Sequence, residues 1–253
     1  PADRPLRSAA KKWSAASLMA GTLYLIPVPL GPTAPEESLP ASALSAVRPL
    51  AHFIVEQPKS ARAFLKAVAT EVPLQELQLA ELNEHTQPEA LDRLLLPLRA
   101  GHDVGLLSEA GCPAVADPGA NLVALAQQEN IRVVPLIGPS SLLLALMACG
   151  LNGQRFAFHG YLPTKETERA KALREIESES RTRQQTQIWI ETPYRNRQLF
   201  ATILQVCHSA SRLTLATDLT QPGESVATRT IRQWKNETPP AIERRPTVFL
   251  LLA

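Results

Sequence analysis

Two α/β domains are predicted for this chain, the first with a mostly parallel sheet and the second with a mixed one. Three observations predict them. Short β-rich runs alternate with helical stretches through the first half, the pattern of successive βαβ units. One of those runs, Asp103–Ser108 (DVGLLS), is almost uninterruptedly apolar, as expected of a strand buried on both faces. After Gly153 the texture changes: Arg155–Gly160 (RFAFHG) alternates apolar and polar residues, and the second half reads as mixed α/β with some antiparallel pairs. At 253 residues, one large domain or two small ones are both possible. The boundary is placed after residue 136, giving domains 20–136 and 137–253, with residues 1–19 as a disordered extension.

Thr22–Val28 is the first strand and ends in a Pro/Gly cluster that runs to Pro35. Glu37–Val47 follows as a helix. His52–Glu56 is the second strand, and Pro58–Ala69 a helix with proline in its first turn, where no amide donor is missed. Leu77–Leu82 is a third strand. Leucine spacing makes Pro88–Arg99 helical, with Pro97 ending or bending it. After Asp103–Ser108 come a helix at Asn121–Asn130, a strand at Ile131–Ile137 and a buried helix at Ser140–Cys149, capped by Ser140 and closed by Gly150. Lys165–Arg183 is a long charged helix with few apolar residues besides Leu173 and Ile176, read as a solvated face with i,i+4 ion pairs. Gln187–Glu191, Leu213–Thr217, Val226–Arg229 and Thr247–Leu252 complete the strands, and Tyr194–Cys207 and Ile231–Lys235 the helices.

Composition excludes several classes. The chain has 22 Pro against 11 Gly, inverting the usual balance. Collagen is excluded, and 45% hydrophobic against 20% charged residues opposes disorder. A net charge of +2 names no partner. Three cysteines without CxxC spacing oppose a disulfide framework or a zinc site and suit a reducing cytoplasm. No apolar run is long enough for a membrane span, and none of signal-peptide length precedes Met19. Five scattered histidines give no metal-ligand spacing.

Ligands of open α/β sheets bind beyond the carboxyl ends of strands, so the loops there carry the argument. Four combine rigid or small backbone residues with a few polar groups: 27–32 (PVPLGP), 108–119 (SEAGCPAVADPG), 138–141 (GPSS) and 191–195 (ETPYR). A Walker loop, GxGxxG, GxSxG and HExxH are all absent.

The motifs GTLYLIPVPLG (21–31), VGLLSEAGCPAVADPG (104–119), VVPLIGPSS (133–141), FHGYLP (158–163), IETPYR (190–195) and ATDLTQP (216–222) occur in this order. Together they resemble the tetrapyrrole methylase superfamily of S-adenosylmethionine-dependent methyltransferases. Within it they most resemble the branch that 2′-O-methylates a cytidine of small-subunit ribosomal RNA. The resemblance covers nearly all of residues 21–253. It implies two α/β domains with the cofactor, S-adenosylmethionine, in the cleft between them, a homodimer, RNA as substrate, and no metal. It also implies cofactor contacts from Pro29, Ser108, Glu109, Ala110, Gly111, Pro113, Pro139, Ser140, Tyr161, Leu162, Thr192, Tyr194 and Leu219. A methyltransferase acting on a tetrapyrrole or other small molecule, or a homologue that binds the cofactor without catalysis, are the alternatives.

A ribose hydroxyl is a poor nucleophile, so a group that accepts its proton assists transfer. The candidates are the pair Glu84 and His85, and Glu56 at the end of the second strand. Lys59 and Arg195 are the candidate substrate contacts, Lys59 for a phosphate. Each has a plainer reading as a solvated surface residue. Asp117 reads first as the cap of the following helix, and Cys112 as a small filler. The branch pattern is altered in places. Val28 and Pro32 replace Thr and Asn, Glu109 and Cys112 replace Asp and Thr, the segment written EDTR reads Glu56-Gln57-Pro58-Lys59, and HEHN reads Asn83-Glu84-His85-Thr86. The substrate motifs therefore depart further than the cofactor motifs.

Overall fold

The computed structural model describes residues 20–253; the extension predicted for 1–19 lies outside them. The chain forms two compact units. One comprises the residues up to Val28 and Leu39–Gly138, the other Pro29–Ser38 and Pro139–Ala253. A cut after residue 136 therefore misassigns Pro29–Ser38, whose Leu30 packs with the apolar cluster of the second unit.

The first unit is a fully parallel sheet of β1 (Thr22–Ile26), β2 (His52–Val55), β3 (Gln78–Glu81), β4 (Val104–Leu107) and β5 (Arg132–Pro135). The order is β3-β2-β4-β1-β5. Every residue of β4 is buried, as its apolar run requires. The helix predicted over Glu37–Val47 is two, α1 (Pro35–Ser38) and α2 (Ala41–Val47), because Pro40 sits in extended geometry at the start of α2. α3 (Pro58–Val68) begins with Gln57, whose Oε1 accepts from the Lys59 amide at 3.0 Å. The helix predicted over Pro88–Arg99 is likewise split, into α4 (Pro88–Leu94) and α5 (Leu96–Arg99). α6 spans Gly119–Gln128.

Period-two alternation divides this core. Phe53 and Val55 pack with Leu44, Val47 and Leu65 from α2 and α3, whereas Ile54 packs with Leu95, Leu98 and Leu122 on the opposite face. The chain leaves β1 toward the first face and reaches β2. It leaves β4 toward α6 on the other face and reaches β5. Adjacent strands β1 and β4 thus send their connections to opposite sides, which makes their carboxyl ends a topological switch point of the sheet.

The second unit contains α7 (Ser141–Ala148), β6 (Phe156–Tyr161), α8 (Glu166–Arg183), β7 (Thr186–Ile190), α9 (Asn196–Val206), β8 (Arg212–Thr217), β9 (Ser225–Thr230), α10 (Ile231–Asn236) and β10 (Thr247–Leu252). The sheet order is β6-β7-β10-β8-β9, with β6 and β7 parallel and the other pairs antiparallel. On one face Trp189 stacks on Phe249, with centroids 6.2 Å apart, among Leu173, Ile176, Leu199 and Ile203 of α8 and α9. On the other, Ala145 and Cys149 meet Ile188, Val248 and Leu250.

Two local expectations are corrected. Ser140 precedes α7, but its hydroxyl makes no capping bond. α8 is more than a solvated face: Arg169, Glu177 and Ser180 are buried beside Leu173 and Ile176. Arg169 donates to Thr202 Oγ1 and, at 2.8 Å, to the Thr164 carbonyl; Glu177 accepts from Ser211 Oγ at 2.5 Å and from the His208 amide at 2.7 Å. The expected i,i+4 pairs, Lys171 with Glu175 and Glu179 with Arg183, lie on the outward side.

Candidate active site

In the first unit, the loops that leave β1, β2 and β4 meet. Val28 and Gly111 form an antiparallel bridge, each donating its amide to the other's carbonyl, at 2.9 and 3.1 Å. The Ser108 hydroxyl lies 3.4 and 3.3 Å from the carbonyls of Ala110 and Gly111 and closes the turn on itself. The amide and carbonyl of Gly111 are therefore both engaged by Val28. Beyond the bridge, Ala114 and Ala116 hold φ of +65° and +56°. Left-handed geometry is unfavourable for alanine, and such strain concentrates at functional loops. Asp117 Oδ1 accepts from the Ala114 amide at 3.0 Å and the Gly119 amide at 2.7 Å, which fixes that turn and starts α6. This is the capping role expected of it.

Glu56 follows β2 and accepts the Glu109 amide at 3.2 Å. Glu109 in turn accepts the Ser60 hydroxyl at 2.5 Å. Burial pushes the Glu56 carboxyl above the ordinary carboxylate range. The Glu109 amide bond opposes this, while the charges of Asp117, Glu109 and Glu84 add to it. Glu84 and His85 stand 3.6 Å apart with side chains 86% and 85% exposed, so they are rim groups. Lys59 is exposed at the start of α3. Pro29 is half-buried, Ala110 is exposed, and Pro113 is buried. Burial also raises the Cys112 thiol, as suits a filler.

In the second unit the 191–195 turn is organised by a residue to which the motifs assign no role. Glu191, with its side chain only 1% exposed, accepts at Oε1 from the Thr192 amide (2.7 Å), Thr192 Oγ1 (3.1 Å), Arg195 Nε (2.9 Å) and Arg195 Nη2 (2.6 Å). Its Oε2 is buried without a partner. The i,i+4 spacing of Glu191 and Arg195 is the signal that could have found it. Tyr194 is 70% exposed, with the Arg195 guanidinium 5.6 Å from its ring centroid. Pro193–Arg195 is a 3-10 turn, so α9 starts two residues after the predicted Tyr194. Ser140 is half-buried, and Tyr161 is exposed on the edge strand β6. Pro139 precedes α7 in the same unit. Leu162 and Leu219 place their side chains in the two cores, leaving main-chain atoms for any ligand. The loop after β8 is also strained, at Asp218 (φ +49°) and Thr220 (φ +66°), and is pinned by Arg245 Nε on Asp218 at 2.7 Å.

Among the described residues, no group of three or more His, Cys, Asp or Glu is placed to hold a metal ion, and no helix is long and apolar enough to cross a membrane. A strained loop at a parallel-sheet switch point, with carboxylates beside it, suits a cationic organic ligand.

The profile of the tetrapyrrole (corrin/porphyrin) methylases matches residues 22–234. The ribosomal RNA small subunit methyltransferase I of Pseudomonas aeruginosa is 34% identical over 209 residues, covering 83% of this chain and 70% of that protein. Its namesake from Escherichia coli O157:H7 is 32% identical, covering 85% and 71%. Among solved structures, the methyltransferase CobJ superposes with a TM-score of 0.61 at 17% identity, covering 92% of this chain and 93% of that one. This chain belongs to the tetrapyrrole methylase family. It is a methyltransferase, and its methyl donor is S-adenosylmethionine.

Proposed function

We propose that this enzyme methylates RNA, at a ribose 2′-hydroxyl of small-subunit ribosomal RNA. The observation that carries the reading is the 34% identity, along 83% of the chain, to a protein named for that subunit. The donor fits the first unit by charge: Glu56, Glu109 and Asp117 are close enough to repel one another, and a bound sulfonium and ammonium would relieve that repulsion. When bound, S-adenosylmethionine supplies an electrophilic methyl group on sulfur. The chain's own task is orientation and proton transfer. Loop 108–113, tied to Val28, orients the donor. Glu56, whose basicity burial raises, takes the hydroxyl proton on the oxygen not engaged by Glu109, while Glu84 and His85 at the rim and Lys59 on α3 meet the acceptor strand.

The enzyme is proposed to work in the cytoplasm as a homodimer. Leu143 and Met147, one turn apart on α7, are both exposed, which supports a second copy as their cover. Light scattering gives the mass that checks it.

The test of the main reading is transfer of radiolabelled methyl from S-adenosylmethionine to purified small subunits, free RNA and a metabolite extract. Label in the RNA is expected, recovered after alkaline hydrolysis in a resistant dinucleotide because the methylated 2′-oxygen can no longer attack the adjacent phosphate. Label confined to small molecules would mean a tetrapyrrole-like acceptor. Donor binding by calorimetry without transfer to any fraction would mean a non-catalytic homologue.

A further inference from the structure

The sequence contains no run of aromatic and basic residues that would stack single-stranded RNA, but the fold of the second unit builds one from distant segments. Tyr194 is among the most exposed large side chains, and Arg195 lies against its ring. Arg195 is held in place: both Nε and Nη2 donate to the buried Glu191, which leaves Nη1 as the guanidinium nitrogen not bonded to it. The Arg244 amide donates to the Pro193 carbonyl at 3.1 Å, which ties a second basic segment to the same turn. Arg244 is itself exposed, with φ of +57°. Beside it is a pocket of about 300 Å³ between Arg197, Pro239, Pro240, Ala241, Glu243 and Arg245.

The charges around this surface separate into fixed and exchangeable ones. Arg245 has donors on Asp218, Ala241 and Gly223, so it is structural. Arg197 pairs with Glu243 across 3.1 Å, and both are about two-thirds exposed. A surface pair of that kind contributes little and is readily exchanged for a phosphate. An open aromatic face, a planar guanidinium, the exchangeable Arg197 and the exposed Arg244 are what an unpaired nucleotide needs: a stacking surface for its base and cations for the flanking phosphates.

We infer that Tyr194, with Arg195, Arg197 and Arg244, forms a platform on which an unpaired nucleotide of the RNA acceptor stacks, so that Tyr194 serves the acceptor and not the methyl donor. The inference rests on RNA being the substrate. Glu191 acts through Arg195 as a positioning residue.

The experiment compares wild type with Tyr194→Ala, Tyr194→Phe and the double variant Arg197→Ala/Arg244→Ala, using small subunits as substrate. Loss of one stacked base is expected to raise KM for RNA about 5-fold or more in Tyr194→Ala. Donor affinity by calorimetry should stay within about twofold, and Tyr194→Phe, which keeps the ring, should restore KM. In the double variant, the dependence of log KM on log salt should flatten by about 0.7 for each phosphate that is no longer neutralised. The exposed positions leave folding intact, which thermal melts check. If wild type methylates RNA and Tyr194→Ala keeps its KM, or instead loses donor affinity, the platform is overturned alone. If wild type binds the donor but methylates no RNA, the proposed function falls and the platform with it.

Discussion

Replacing Glu191 with alanine removes the acceptor of four hydrogen bonds, and the structure sets the size of the loss. The carboxylate is 1% exposed and Arg195 is 21% exposed, so truncation leaves a guanidinium largely out of water without its partner. Breaking a buried pair by removing one side costs about 3–5 kcal/mol. Two corrections lower that figure. Arg195 is close enough to the surface to recover some hydration, and deletion also removes the unpartnered Oε2, whose burial costs roughly 1 kcal/mol. The net expectation is about 2–3 kcal/mol of destabilisation, which for a chain of this size lowers Tm by roughly 5–10 °C. Urea unfolding of Glu191→Ala, Arg195→Ala and the double variant gives the coupling energy directly. A coupling of about 1.5 kcal/mol or more is expected. A Glu191→Ala variant within about 0.5 kcal/mol of wild type would refute the reasoning, because the pair would then be no better than a solvated one.

Glu56 is raised by burial, so the folded state binds its proton more tightly than the unfolded state. The associated stability is complete below the unfolded pKa and is lost as pH rises through the folded one. Glu56→Gln should therefore raise Tm at pH 7 and give no gain near pH 4, as thermal melts at both values will record. Gly138→Ala would bring a Cβ within 2.4 Å of Pro27 Cβ and 2.8 Å of Leu39 Cδ2. It should cost about 1–3 kcal/mol in urea unfolding. Gly31→Ala, whose Cβ has the movable end of Gln221 as its nearest neighbour, should cost much less. The Cys207 thiol is pushed up to about 12, first by burial and then by Glu177. Iodoacetamide at pH 8 should leave it unlabelled in the native protein and modify it fully in urea, as peptide mass mapping will read.

The two sheets are legible in the sequence because their strands bury themselves in simple patterns. Val104–Leu107 reads as a central strand, and the alternation of Phe53, Ile54 and Val55 sorts itself into two cores. The helix break at Pro40 is masked because apolar spacing continues through it, although the ring fixes an extended turn there. Arg169 and Glu177 look like solvent-facing charges, since their partners Thr202 and Ser211 lie about thirty residues away, beyond any local pattern. The same holds for the site. The loop at 108–119 announces itself by composition, but the engagement of Gly111 by Val28, and the pairing of Glu109 with Ser60, depend on strand order, which no single segment encodes.

The Val28–Gly111 bridge explains why altered lettering here need not mean an altered site. Position 28 contributes only its amide and carbonyl to the bridge, and its side chain is buried among Ile26, Leu39 and Leu44. A threonine of similar shape would keep the bridge, while valine avoids burying a hydroxyl among those apolar side chains. The neighbouring departure behaves alike: Gln57 holds the first turn of α3 through one side-chain bond, and Pro58 fits that turn by its fixed φ. Architecture written in the main chain is kept by geometry rather than by letters. The Val28–Gly111 bridge can thus keep the course of this loop when the side chain at position 28 changes.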